Sequence, residues 1–114
     1  PYAQFSTEMR SGKIIKIDDG FTKLLGYTED DVKNGLVFKQ FVPDLEYSEI
    51  IAELREQFIE KKYACYRHEV VSKTGEIRMI VAFFTIQNKL LNGHRVLEVS
   101  VADITDYTHF PETK

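Results

Sequence analysis

The sequence predicts an α+β domain, a five-stranded antiparallel sheet with short helices and one long helix packed on one face. Three observations predict it. Two short β-like runs open the chain, a block of helical periodicity fills its middle, and only strand-like alternation follows Lys62. Within that last block, Asn92-Gly93 between apolar runs is a two-residue hairpin signal, which makes the closing strands antiparallel. Helices grouped between strands, rather than alternating with them, belong on one side of such a sheet.

In order, Ala3 to Met9 is a short strand, Ser11-Gly12 a turn, and Ile14, Ile15 and Ile17 a β-branched second strand. Asp18 and Asp19 each suit the cap of a helix starting near Gly20. That helix carries Phe21, Leu24 and Leu25 and ends at Gly26, a left-handed terminator. Thr28-Glu29-Asp30-Asp31 reads as a capping box for a second short helix, stopped by Gly35. Phe38, Phe41 and Val42 give one more turn, closed by Pro43. The longest helix runs from Asp44 to about Lys62, with Tyr47, Ile50, Ile51, Leu54 and Phe58 on one stripe. Tyr63 to Ser72, Glu76 to Gln87 and Arg95 to Asp103 form the closing meander, with Lys73-Thr74-Gly75 as the first turn.

Length and charge narrow the function. The 114 residues make one domain, and no linker precedes residue 106. A net charge of −3 with scattered cations gives no basic face, which argues against nucleic acid. No apolar run approaches a membrane span and no signal-peptide pattern opens the chain. The single Cys65 rules out an internal disulfide framework and suits a reducing, cytoplasmic setting. Pro1 in place of Met suggests an excised or processed segment. No Gly-rich phosphate loop, HExxH or Gly-x-Ser-x-Gly motif is present, so the segment reads as non-catalytic. Cys65 and His68 lie three apart on a strand, on opposite faces, and cannot share a metal ion. His94 and His109 read as solvent-exposed.

The segment Gly12 to Tyr27, GKIIKIDDGFTKLLGY, is similar to the PAS-family pattern of Gly-x-Ile, a strand, then Asn-x-Ala-Phe and a helix ending in Gly-Tyr. Phe21, Gly26 and Tyr27 match; Asp18 stands where Asn is usual and Gly20 where Ala is usual. Lys73-Thr74-Gly75 resembles the family's Lys-Asp-Gly turn, and Asp103-Ile104-Thr105 its closing triplet. The resemblance covers about residues 3 to 106, leaving 107–114 as the start of a linker. It implies a sensory box of a multidomain, bacterial signalling protein. The attached output would be a histidine kinase or a cyclic-di-nucleotide synthase or hydrolase. It also implies that Asp103, Ile104 and Thr105 transmit the signal, and that helices and sheet enclose a cavity for a small ligand.

Strand parity assigns faces. Tyr66, His68 and Val70 point inward, as do Leu97, Val99 and Val101. The strand from Glu76 is apolar on both faces, and the matched turn puts Ile80, Ala82, Phe84 and Ile86 toward the helices. The predicted ligand set is therefore Phe21, Leu25, Phe38, Leu54, Tyr66, His68, Val70, Ile80, Phe84, Val99 and Val101, with Ile51 beside them. The same side chains could equally fill a close-packed core. His68 suits a ligand contact or a pH sensor, although a core histidine bonded to a neighbour is the commoner case; Tyr66 carries the same ambiguity. Met79, Val81 and Phe83 on the other face need a cover, either a flanking segment or a second subunit, with a homodimer favoured.

Cofactors are weighed against the family. Flavin sensors of the cysteine-adduct type need an Asn-Cys-Arg-Phe motif, whereas Leu36 to Val42 holds no Cys. Haem-binding members commonly use a His from the long helix, which has none here. A ligand-free dimerising module is the alternative function, and a haem or redox sensor a weaker one.

Overall fold

The computed structural model describes residues 2–109, with side chains through Tyr107. Five strands, β1 (Tyr2–Glu8), β2 (Ile14–Ile17), β3 (Tyr63–Val71), β4 (Ile77–Leu91) and β5 (His94–Asp103), form one antiparallel sheet in the order β2-β1-β5-β4-β3. Between β2 and β3 lie α1 (Asp19–Leu25), α2 (Glu29–Lys33), a 3-10 turn (Phe38–Phe41) and α3 (Asp44–Gln57). A second 3-10 turn, Thr105–His109, follows β5. The expected linker start at 107 falls inside that turn, and residues 110–114 lie outside the described residues, as does Pro1.

Local chemistry explains the helix starts. Asp18 Oδ1 accepts from Phe21 N–H at 2.9 Å, capping α1, and from Gln4 N–H at 3.0 Å, which pins the helix to β1. Gly26 ends α1 at φ +82°. The Asp31 carboxylate accepts from Thr28 N–H at 2.8 Å, the acidic half of a capping box. Lys73 from the β3–β4 turn reaches the same carboxylate at 3.0 Å, and its N–H donates to the Leu25 carbonyl at 2.8 Å. The turn thus anchors α1 and α2 to the far end of the sheet.

Two lengths differ from expectation. The helix α3 stops at Gln57 rather than near Lys62. Gln57 explains this: its amide accepts from Cys65 N–H and donates to the Cys65 carbonyl, both at 2.8 Å, tying the helix end to β3. The chain must then turn, and the Lys62 carbonyl accepts from Ile86 N–H at 2.8 Å. In the other direction, β4 continues past Gln87 to Leu91, through a register shift between Ile86 and Leu90. Asn92 and Gly93, with φ of +52° and +81°, close the hairpin.

The core lies between the inner sheet face and the helices. Phe5, Phe21, Phe38 and Phe41 form its densest part, with ring centroids from 5.2 to 6.4 Å apart and mostly edge-to-face. Ile80, Ala82 and Phe84 of β4 and Leu97, Val99 and Val101 of β5 are buried on the same face.

Candidate functional site

A groove of about 460 Å³ opens between α3 and the β1 end of the sheet. Phe38, Phe84 and Leu97 line it from the core; Tyr47, Ile51 and Leu54 from α3, with Phe58 just past its end; and Thr7 and Glu8 from β1 with Met9, Arg10 and Gly12 from the β1–β2 turn. Ser48, Ala52 and Arg55 complete the helix side. The helix contributes because 47, 51, 54 and 58 recur at helical spacing and share one face. The turn is firmly built: Gly12 N–H donates to the Glu8 carbonyl at 2.8 Å, and the Ser11 hydroxyl to the Glu8 carboxylate at 2.6 Å. Gly12 sits at φ +77°, a left-handed backbone conformation in which a side chain is strained. The Ser11 hydrogen bond holds the Glu8 carboxyl below its usual pKa, with smaller help from His94 and Lys13.

The groove gathers Phe38, Leu54 and Phe84 of the expected ligand set, with Ile51. The remaining eight stand elsewhere. Phe21 is packed within the aromatic cluster; Leu25, Val70, Ile80, Val99 and Val101 are buried in the core. Tyr66 is partly buried against it. Met9, Arg10, Ser48, Ala52 and Arg55 were outside the predicted set. Tyr47 and Phe58 already belonged to the helical stripe, but the Met9–Gly12 turn carries no periodicity that could mark it.

His68 is buried, between the rings of Phe38 and Tyr66 at 6.4 and 5.9 Å. Its Nδ1 lies 2.9 Å from the Glu69 carbonyl, which makes Nδ1–H the donor in the neutral ring. Nε2 is buried without a hydrogen-bond partner among the described residues. Burial lowers the pKa of the ring, while the Glu69 carbonyl and the Glu46 charge oppose this.

At the end of β5, Asp103-Ile104-Thr105 forms a clamp on β4. Asp103, its side chain 4% exposed, pairs with Arg78, whose Nε lies 3.1 Å from the carboxylate. Its other oxygen accepts from the Thr105 hydroxyl and, at 3.0 Å, from Thr105 N–H. Thr105 Oγ1 in turn accepts from Met79 N–H at 2.9 Å, and Ile104 N–H donates to the Met79 carbonyl at 2.8 Å. Burial works against the Asp103 charge, but the Thr105 and Arg78 hydrogen bonds outweigh it and hold the pKa low.

On the outer sheet face, Met79 and Val81 are half-buried and Phe83 is 52% exposed, between its register partners Cys65 and Ser100. Cys65 is exposed there as a free thiol. Among the described residues, no three His, Cys, Asp or Glu side chains are placed to hold a metal ion. Among the described residues, no helix is long and apolar enough to cross a membrane.

This sheet order, with the helices on one face and the triplet closing β5, is the PAS fold, and solved structures agree. The PAS domain of a protein from Colwellia psychrerythraea superposes with a TM-score of 0.81 at 18% identity, over 92% of this chain and 87% of that one. A sensory box histidine kinase/response regulator from Burkholderia thailandensis gives 0.69 at 13% identity, over 94% and 79%. The PAS-B domain of Drosophila melanogaster Cycle, with bound ethylene glycol, gives 0.73 at 9% identity, over 89% and 98%. No family model matches the sequence, and no curated protein matches it.

Proposed function

We propose that this chain is the sensory module of a larger signalling protein, taking a small molecule in the groove and passing its presence to an attached output domain. One observation carries the reading: two of the strands that line the groove, β4 and β5, also hold the exit clamp. Phe84 on β4 and Leu97 on β5 face the groove, while Arg78 and Met79 on β4 and Asp103 on β5 make the clamp. From Leu97 to Asp103 is six steps of one strand, about 20 Å. A ligand wedged between α3 and the sheet moves those strands, and the clamp is the first structure the movement meets. The ligand must favour one clamp state over the other to signal at all.

Chemistry would reside in the output domain and not in this segment. The kinship of fold with a sensory box histidine kinase favours a kinase output over a cyclic-di-nucleotide enzyme. A cytoplasmic setting belongs to the same reading and rests on the lone free thiol. The test is native mass spectrometry of the purified chain beside an Ala52→Trp variant that fills the groove. A non-covalent mass excess in the parent, absent from the variant, is expected. A second reading, ligand-free dimerisation through Met79, Val81 and Phe83, is favoured by the exposure of Phe83 at mid-sheet. A clean mass of twice the chain in both proteins supports that reading instead.

A further inference from the structure

We infer that the groove selects an anionic amphiphile: an apolar body carrying one carboxylate, held at the rim by Arg10 and Arg55. This rests on the groove being the ligand site. The floor is apolar, with Phe38, Leu54, Phe84 and Leu97 buried in it, and offers no buried charge to a polar ligand. Its rim is different. Arg10 enters from the β1–β2 turn and Arg55 from α3, so the two cations come from opposite walls. Among the described residues, neither guanidinium has a hydrogen-bond or ion-pair partner, whereas Arg78 has two carboxylates. Glu8, the acid lining the same groove, is already engaged by the Ser11 hydroxyl at 2.6 Å.

An unpaired guanidinium presents a planar fork of donors that matches a carboxylate. Its long stem can lie along apolar surface while the head stays at the water boundary. The rim therefore favours a negative head, discriminates against a cationic one, and leaves the floor to take the body. An alkyl chain and an aromatic ring both satisfy that floor, so aliphatic and aromatic acids share this chemistry.

The experiment titrates the full chain with decanoate, decanol, decylamine and 4-phenylbutyrate, below their aggregation concentrations. Binding is read from the methyl resonances of Ile51, Leu54 and Leu97. Decanoate or 4-phenylbutyrate should bind at least about ten-fold tighter than the alcohol and the amine, one charge-assisted hydrogen bond being worth that step. The tighter of the two acids identifies the source, and either choice supports the proposal. In an Arg10→Gln/Arg55→Gln double variant that advantage should vanish while decanol still shifts the same methyls, which also shows the groove is intact. Decanol binding as tightly as both acids, or acids unaffected by the double substitution, overturns the anionic class and leaves the groove reading standing. No probe reaching the groove overturns both.

Discussion

The backbone of Met79 is held by Thr105 through the hydroxyl that accepts its N–H at 2.9 Å, while the neighbouring Ile104 N–H donates to its carbonyl at 2.8 Å. One residue of β4 therefore secures both residues that leave β5. Asp103 completes the arrangement by bonding Thr105 N–H at 3.0 Å and pairing with Arg78. The chain leaves the sheet along a path set by these bonds, which makes the triplet a joint rather than a loose end.

Asp103→Ala should lower stability by about 1–3 kcal/mol, the cost of removing the buried acceptor that Arg78 and Thr105 share. The fold should survive, and hydrogen exchange at the Ile104 amide should speed up. In a full-length protein, output should no longer follow sensing. Signalling that is unchanged by Asp103→Ala contradicts the transmission role.

Gly20 departs from the Ala usual in the resembling pattern, and the structure gives the reason. A Cβ there would stand 2.1 Å from the Tyr2 carbonyl oxygen and 3.2 Å from the Ala3 Cα. Those are backbone atoms and cannot rotate away. Gly20→Ala should therefore destabilise by about 1–3 kcal/mol despite better helix propensity. A chemical denaturation midpoint equal to or above the parent's contradicts this packing.

Stability should fall as pH drops below the ordinary histidine value of 6.5, because burial keeps His68 neutral in the fold. The unfolded chain then binds the proton that the folded chain refuses. The Glu69 carbonyl and the Glu46 charge act on the ring and oppose this in part. Glu69 has its own pKa raised above 4.5 by a hydrogen bond to Glu46, so its stabilisation is full below 4.5 and is lost as pH rises through its folded value. Asp103, depressed from 3.8, acts lower still, and its stabilisation is lost as pH falls through its folded value. Between about pH 7.5 and 6, His68 sets the slope. His68→Leu should flatten it, as read by denaturation midpoints at the two ends. An identical slope in the variant assigns the dependence elsewhere.

If the outer face pairs two copies, Val81→Ser with Phe83→Glu should convert a dimer to a monomer in a sedimentation measurement. Both are solvent-accessible, so the fold should persist. A monomeric parent, unchanged by the substitutions, removes the dimer reading.

Much of the fold was legible in the sequence because its signals are local. Asp18, Gly26, Thr28 and Asn92-Gly93 act through their own backbone neighbourhood, and each marks the boundary expected of it. Strand parity placed Val70, Val99 and Val101 inside for the same reason, whereas the both-sided apolar β4 needed the matched turn to put Ile80 and Phe84 there. Tertiary bonds were not legible. Nothing in residues 58–62 announces that Gln57 will bond Cys65 and stop the helix. Inward parity also cannot distinguish a residue that fills the core from one that lines a groove. Val99 and Phe84 face the same way, yet only Phe84 reaches the opening. The groove's other wall, Met9 to Gly12, is a turn whose position depends on Arg95 across the sheet, through the Met9 N–H bond at 2.9 Å.

The groove and the exit can be followed together in one sample. Decanoate is titrated into the isotopically labelled chain while the Ile51 and Leu54 methyls report occupancy and the Ile104 and Thr105 amides report the clamp. Coupling of the groove to the exit requires that the amides shift, and change their hydrogen-exchange rates, in step with the methyls. Methyls that saturate while both amides stay fixed would contradict it.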